Sequence, residues 1–222
     1  MRAVADDAAV PVSVQLDHAV DLHLIESALN EGVDAVLADG STLSFSENAA
    51  FVRRVVEIAG SGVTVEAELG SIAGDEDRSV GADPDAAGLT DPAQVADFVE
   101  LSRCHLLAVA VGNVHGRYRG EPSIRWTELA QIRAVSTVPL VMHGASGLPR
   151  EDLARAGGSG IGKVNVNTEL RGVVLDVLEA SLPGARESGD DVALLSQAAA
   201  AATRQFTTAI AGLLAGNVRR SE

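Results

Sequence analysis

The segment VPLVMHGASGLPR (138–150) contains the unit that sets the fold of this chain. It opens with a short apolar run that includes β-branched residues, which is typical of a strand buried in a sheet. The small residues HGASG (143–147) follow directly, and a helix is expected to begin near Arg150. A strand joined to a helix by a short loop is the repeating unit of a parallel sheet covered by helices.

Similar apolar runs predict further strands at 11–17, 35–39, 63–69, 106–112 and 163–167. Amphipathic stretches between the runs predict helices at 22–30, 46–59, 91–101, 126–135 and 150–156. After the last run, helices are expected at 168–180 and 192–214, separated by the break LPGARESGDD (182–191). The alternation predicts an α/β fold, and the absence of an internal repeat favours one domain over residues 1–222.

Composition excludes several classes of protein. Of the 222 residues, 46% are hydrophobic, which is enough for one sizeable core. The excess of 31 Asp and Glu over 17 Lys and Arg gives a formal net charge of −14, so nucleic acid is not an expected partner. The lone Cys104 cannot form an internal disulfide, and the sequence shows neither a signal peptide nor an apolar run of membrane-spanning length. We therefore expect a cytoplasmic protein with no membrane partner.

Polar residues follow the apolar runs at the points where the strands are expected to end. Three of the five histidines, His18, His115 and His143, occupy three different strand ends. In a barrel these ends converge on one face, where active sites lie, and three imidazoles with an open fourth position form a catalytic zinc site. One such histidine alone would more often be structural, and His23 and His105 are assigned to structure.

Two carboxylates, Asp39 and Glu68, end neighbouring strands. They could hold a second metal position or orient the histidines, and paired carboxylates of purely structural role are an equally good interpretation. The loop that follows Glu68, at 70–88, is long, rich in glycine and acidic. A loop of that kind is typical of a mobile active-site segment that carries a catalytic acid.

Two strand-to-helix junctions predict a phosphate site. HGASG (143–147) leaves backbone amides available to an anion, and KVNVNTEL (163–170) adds Asn165, Asn167 and Thr168 at the next junction. The loops after the last two strands of a barrel, with a helix N-terminus, are the usual place for phosphate. Lys163 is the one lysine in a predicted strand, and such a lysine is the nucleophile of a Schiff-base enzyme or a structural residue.

Six motifs in order give the chain a resemblance to the class II (zinc-dependent) fructose-bisphosphate and tagatose-bisphosphate aldolases: LDHA (16–19), DGSTLSFSEN (39–48), VEAELGSIAGDED (65–77), AVGNVHGRY (110–118), PLVMHGASGL (139–148) and KVNVNTEL (163–170). The resemblance implies a TIM (β/α)8-type barrel. It places strands equivalent to the third to eighth at 10–180 and C-terminal helices at 168–216, so the first two βα units would be lacking. Met1 would then be an internal methionine or the start of a truncated chain.

The resemblance also implies a reaction, the reversible cleavage of a ketose 1,6-bisphosphate into dihydroxyacetone phosphate and glyceraldehyde 3-phosphate. Asp17 would act as acid and base, Glu76 would remove a proton from dihydroxyacetone phosphate, and Lys163 would be structural. Zinc would bind His18, His115 and His143, with Glu68 and Asp39 as an alternative metal-holding pair. The phosphate contacts would come from Gly116, Gly144, Ser146, Asn165 and Thr168, together with Asn167, which departs from the family pattern.

Several alternatives stay open at the level of sequence. The chain could be a catalytically impaired homologue or a non-catalytic partner subunit of a complete aldolase, and its incomplete barrel would then make the isolated product unstable or weakly active. It could also be a metal-dependent aldolase for another substrate. The choice between fructose and tagatose, the need for a monovalent cation and the size of the expected homo-oligomer are not decided by these motifs.

Overall fold

The computed structural model describes residues 1–75, 78, 80–83 and 88–215. The described strands are β1 Gln15–Ala19, β2 Ala35–Ala38, β3 Thr64–Leu69, β4 Gly81–Ala82, β5 Leu106–Val109, β6 Arg117–Tyr118, β7 Leu140–Met142 and β8 Ile161–Val164. The described α-helices are α1 Arg2–Asp6, α2 Leu22–Asn30, α3 Phe45–Ala59, α4 Pro92–Ser102, α5 Trp126–Val135, α6 Arg150–Gly158, α7 Thr168–Glu187 and α8 Val192–Ala215. A short 3₁₀ turn, Gly60–Gly62, follows α3.

Six of the strands form one parallel sheet in the order β1-β2-β3-β5-β7-β8. Each strand lies beside the next long strand along the chain, and the helices between them are the crossovers that parallel pairing requires. The sheet is curled into part of a barrel, so the α/β fold and barrel type expected from the sequence are confirmed. The short strands β4 and β6 form a separate parallel pair.

Local sequence explains where the helices begin. Asp21 accepts hydrogen bonds from the backbone amides of His23 and Leu24 at the start of α2. Ser44 and Glu47 form a capping box at the start of α3, and Asp91 caps α4, whose first residue is a proline. These side chains satisfy amides that have no partner within the helix, which fixes the residue at which each helix begins.

The core lies between the outer face of the sheet and the surrounding helices. Its largest fully buried members include Phe98, Leu107, Ile132 and Leu140. Phe98 meets Phe45 edge to face, with ring centroids 5.7 Å apart. This apolar layer holds each helix on its strand, and it leaves the other face of the sheet for polar side chains.

The helices after β8 differ from the prediction. The first of them was expected to end at 180, but α7 continues through Pro183 to Glu187, about two turns further, so the break before α8 is confined to 188–191. The following helix α8 packs against α7 and α6, and none of its described side chains is buried. No described helix combines the length and apolarity needed to cross a membrane.

Candidate functional site

An irregularity in β1 aims two neighbouring side chains at the inner side of the sheet. Leu16 pairs with Val36 and Ala19 with Ala38, so β1 has one more residue than β2 between these two pairs. His18 takes up the extra residue with φ of 42°, in the left-handed region that costs about 1–3 kcal/mol for a residue with a side chain. Because of this bulge, Asp17 and His18 both face the inner side, where regular alternation would have separated them.

The three predicted histidines meet at the carboxyl ends of the strands. His18 belongs to β1, His115 follows β5 after a short loop, and His143 comes directly after β7. The ring of His18 lies 5.0 Å from that of His115 and 5.1 Å from that of His143, centroid to centroid. One ring nitrogen from each of the three lies within 4.8 Å of the others. The structure therefore places three imidazoles around one point.

Asp39 and Glu68 lie on one side of this cluster. Asp39 Oδ2 is 2.7 Å from His18 Nδ1, and the donor atoms of His18, Asp39 and Glu68 form a second group within 4.8 Å. Burial and the nearby charge of Asp39 raise the pKa of Glu68 to about 7. Burial alone would raise the pKa of Asp39 as well, but hydrogen bonds from His18 and Ser41 hold that pKa well below its usual range. One carboxyl group is thus kept ionised while its neighbour is nearly half protonated at neutral pH.

Glu66 forms a contact that the sequence did not predict. Its Oε1 is 2.7 Å from His143 Nε2, and its Oε2 accepts a hydrogen bond of 2.7 Å from Lys163 Nζ. Burial would raise the pKa of Glu66, but the hydrogen bond with His143 and the charge of Lys163 hold that pKa below its ordinary value. The lysine considered as a Schiff-base nucleophile is therefore engaged in an ion pair.

The loop that carries His115 is tied to its neighbours on both sides. The His115 amide donates to Ala73 O at 2.7 Å, which joins this loop to the segment after β3. The fully buried Asn113 donates from Nδ2 to His143 O at 3.0 Å and accepts from the Val111 amide through Oδ1. Asn113 thereby fixes the spacing of the loops that hold two of the histidines.

The residues predicted to contact phosphate surround one small pocket of about 10 Å³, beside the histidines. Its lining comprises His115, Gly116, Gly144, Ser146, Asn165, Asn167 and Thr168. Ser146 Oγ accepts hydrogen bonds from the Asn167 and Glu169 amides, at the N-terminus of α7. The pocket has room for about one water molecule.

Gly144 is needed where this pocket meets the His115 loop. Its φ is 61°, and a Cβ at this position would stand 2.0 Å from Val114 O. The Tyr118 hydroxyl donates to Gly144 O at 3.0 Å, which fixes the orientation of this carbonyl group. A residue with a side chain at 144 would push apart the two loops that carry His115 and His143.

The remaining predicted residues lie outside the histidine cluster or outside the described part of the chain. Asp17 is exposed and lies in an adjoining cleft, where its Oδ1 accepts from Gln15 Nε2 at 3.3 Å. Glu76 lies outside the described residues. His23 is exposed on α2, and His105 accepts from the Val65 amide through Nδ1, which gives this ring a place in the framework of β3.

The chemistry and spacing of the cluster suit a metal ion. Imidazole nitrogens and carboxylate oxygens suit Zn²⁺, and donors within 4.8 Å of one another are close enough to bind one ion. Glu68 Oε2 is buried and has no hydrogen-bond partner among the described residues. A buried carboxylate oxygen without a partner is costly, and a cation would provide one. The donor set of this chain therefore fits zinc.

Comparisons with known proteins agree with the motifs. A model of the class II fructose-bisphosphate aldolase family matches residues 1–217. The chain is 40% identical over 161 residues to the fructose-bisphosphate aldolase of Geobacillus stearothermophilus, a match that covers 72% of this chain and 55% of that protein. The matched region thus spans little more than half the length of this relative.

Solved structures show the same fold. The crystal structure of the YdjI aldolase from Escherichia coli K12 superimposes with a TM-score of 0.81 at 30% identity, covering 96% of this chain and 72% of that one. The fructose-bisphosphate aldolase of Campylobacter jejuni, at 20% identity and a TM-score of 0.72, shares the fold over 95% of this chain and 72% of its own. Because the family model matches residues 1–217 of the 222, the chain belongs to the class II fructose-bisphosphate aldolase family.

Proposed function

We propose that this chain binds Zn²⁺ through His18, His115 and His143 and catalyses the reversible aldol cleavage of a ketose 1,6-bisphosphate. The products would be dihydroxyacetone phosphate and glyceraldehyde 3-phosphate. The observation that carries the proposal is the meeting of three imidazoles at the carboxyl ends of the sheet, beside a pocket lined by backbone amides and hydroxyl groups. Metal and phosphate would then be held side by side, as the reaction requires.

Cleavage of a carbon–carbon bond next to a carbonyl group leaves an enediolate with negatively charged oxygens. Bound zinc supplies the Lewis acid that stabilises such oxygens, so no Schiff-base lysine is needed. This fits the state of Lys163, whose Nζ is paired with Glu66. Asp39 and Glu68 would orient His18 and provide an alternative position for a metal, as their shared donor cluster supports.

Two groups must move protons, one at the hydroxyl of the departing aldehyde and one at the enediolate carbon. We assign the first role to Asp17 from the family motif, and its place in the cleft, next to His18 in the chain, supports this assignment. The second role is assigned to Glu76 on the strength of the family motif alone.

The phosphate of dihydroxyacetone phosphate would bind at the N-terminus of α7. Gly116, Gly144, Ser146, Asn165, Asn167 and Thr168 line this pocket together. Backbone amides at a helix N-terminus attract an anion through their partial positive charge, and this local effect can outweigh a net charge of −14. Both fructose and tagatose 1,6-bisphosphate present the same phosphate here, so the two sugars are equal candidates.

The first test is a coupled cleavage assay of the 222-residue chain with each sugar bisphosphate, before chelation, after chelation and after zinc is returned. We expect turnover that disappears with the metal and returns with it. His115→Ala should lower turnover by more than about a hundredfold, beyond the usual cost of losing a residue that only orients a ligand. His23→Ala is the matched control, because His23 lies exposed on α2, and it should leave turnover unchanged.

Turnover that survives chelation, or that His115→Ala leaves intact, would contradict the metal site. A folded, zinc-loaded chain that cleaves neither sugar would favour the non-catalytic homologue or another substrate. Adding potassium or sodium chloride to the same assay would show whether a monovalent cation takes part.

A further inference from the structure

A buried row of charged and polar groups runs from the histidine cluster into the sheet. His143 and Glu66 both have side chains that are 0% exposed, and Lys163 is 27% exposed. One oxygen of Glu66, Oε1, accepts a hydrogen bond from His143 Nε2. The other, Oε2, accepts hydrogen bonds from Lys163 Nζ and, at 3.3 Å, from Gln15 Nε2. Every oxygen of this carboxylate therefore has a partner.

This arrangement decides which nitrogen of His143 carries the proton. A neutral imidazole has one N–H and one lone pair, and an ionised carboxylate can only accept a hydrogen bond. At 2.7 Å from Glu66 Oε1, Nε2 must be the protonated nitrogen. The lone pair is then on Nδ1, which lies 3.2 Å from His18 Nε2, on the side where the three imidazoles meet.

We infer that Glu66 is a positioning residue, which fixes the tautomer and ring orientation of His143 so that Nδ1 faces the metal, with Lys163 as its counter-charge. The inference rests on the proposed metal site and does not depend on the sugar. It gives a purpose to a carboxylate that lies in the sheet and belongs neither to the lining of the phosphate pocket nor to the donor group of His18, Asp39 and Glu68. It also explains a lysine at this position in an enzyme that forms no Schiff base.

Lys163 has a distinct part in the arrangement. An ionised carboxylate buried without a positive partner is strongly destabilising, so Glu66 could not stay charged in this place alone. Lys163 reaches it from β8, where the partial exposure of the lysine lets it retain contact with water. The pair therefore supplies a charged acceptor for His143 within the sheet.

The experiment compares zinc affinity in Glu66→Gln, in the double variant Glu66→Gln with Lys163→Met, and in the wild type, by competition with a chromophoric chelator. An amide can turn its NH₂ group toward Nε2, which moves the ring proton to Nδ1 and removes the lone pair facing the metal. We expect both variants to bind zinc about 10- to 100-fold more weakly. Glu57→Gln on the exposed face of α3 is the control and should bind as the wild type does.

The double variant separates positioning from charge balance, because it removes the lysine that Glu66→Gln would leave without a partner. Wild-type affinity in the double variant would show that Glu66 only balances Lys163, and the inference would fall. Wild-type zinc affinity in Glu66→Gln itself would also overturn the inference, because the carboxylate would then not be needed for zinc binding. If His115→Ala keeps its affinity too, the proposed metal site fails; if only His115→Ala loses affinity, the site stands and this inference alone is wrong.

A second measurement needs no variant. Long-range ¹H–¹⁵N spectra of the zinc-free wild type report which ring nitrogen of His143 is protonated. A protonated Nε2 is expected. A protonated Nδ1 would overturn the inference even if neither variant folds.

Discussion

Two glutamates of β3 show how neighbours decide the state of a buried carboxyl group. Glu66 and Glu68 are two positions apart on one strand, so both face the inner side of the sheet. Glu66 has His143 and Lys163 as partners, and its pKa is lowered. Glu68 has a buried oxygen without a partner among the described residues, and burial next to Asp39 raises its pKa to about 7. The raised pKa has a measurable effect on the stability of the metal-free protein.

Glu68→Gln should change how the stability of the zinc-free chain depends on pH. The folded chain holds the Glu68 proton up to about pH 7, whereas the unfolded chain releases it near 4.5. Between these values the native state binds more protons, so the free energy of unfolding falls as pH rises. The glutamate thereby costs about 3 kcal/mol at pH 8, at 1.36 kcal/mol per pKa unit. Glu68→Gln should remove most of this fall, as followed by urea unfolding from pH 5 to 8.

His18 makes the free energy of unfolding fall with rising pH as well, in the wild type and in Glu68→Gln. Burial would lower the pKa of His18, but the hydrogen bond with Asp39 and the charges of Asp17 and Glu68 together outweigh it. The pKa of His18 is therefore raised, and its stabilising effect is also lost with rising pH. The comparison therefore rests on the difference between Glu68→Gln and the wild type. Equal pH dependence in the two would show that Glu68 titrates normally. Glu57→Gln, at an exposed position, should follow the wild type.

The sequence predicted that His18, His115 and His143 would lie close together, because each follows an apolar run that ends at the same edge of the sheet. It did not predict the role of Glu66, whose partners His143 and Lys163 are 77 and 97 positions away in the chain. Only the curvature of the sheet brings these residues together. The bulge at His18 was likewise not predicted, since simple alternation would place Asp17 and His18 on opposite faces.

At the level of elements, most helices lie within a residue or two of their predicted bounds, because their caps and apolar periods are local signals. The break predicted at 182–191 is shorter in the structure, where only 188–191 separate α7 from α8, and the reason is non-local. Proline and glycine favour a helix end, yet α7 contains Pro183 and Gly184 and continues to Glu187. Packing of α7 along α8 holds this last part in helical form, and Ala185 there is buried. Tertiary contacts override local propensity in this segment.

The contact between α6 and α8 gives a prediction at this scale. Gly157 lies in α6, and a Cβ at that position would stand 2.5 Å from Leu214 O of α8. Alanine normally stabilises a helix interior by about 0.5–1 kcal/mol relative to glycine. Gly157→Ala should instead lower the free energy of unfolding by about 1–3 kcal/mol, the usual cost of overpacking, because α8 must move away from α6. Urea unfolding measures the change.

Gly184→Ala is the matched control for Gly157→Ala. It also replaces a helical glycine, but no atom lies within 4 Å of the added Cβ. It should therefore stabilise the chain by about 0.5–1 kcal/mol. If Gly157→Ala stabilises the chain as much as Gly184→Ala does, α8 is not held against α6 as described.

For the whole molecule, the important feature is that the sheet is open. In the described part of the chain, β1 pairs only with β2 and β8 only with β7, so each has an edge without a neighbouring strand. A cleft of about 720 Å³ lies between these edges and is lined by Ser13, Gln15, Asp17, Lys163, Asn165 and others. Parallel sheets are normally covered, and open edges pair readily with other chains. The proposed proton-transfer residue Asp17 lies inside this cleft.

We therefore expect copies of the 222-residue chain to associate through the region between β1 and β8, with a sedimentation coefficient that rises with concentration. Ser13→Lys would place a charge at the mouth of the cleft, since Ser13 is exposed and lines it. Lysine next to an edge strand opposes pairing, so association should weaken by about tenfold or more. Ser188→Lys, at an exposed position after α7, adds the same charge elsewhere and should leave association unchanged.

A monomer at every concentration, or equal effects of the two substitutions, would contradict association through these edges. Weaker association in Ser13→Lys alone would make the cleft, and with it the surroundings of Asp17, part of an interface between subunits.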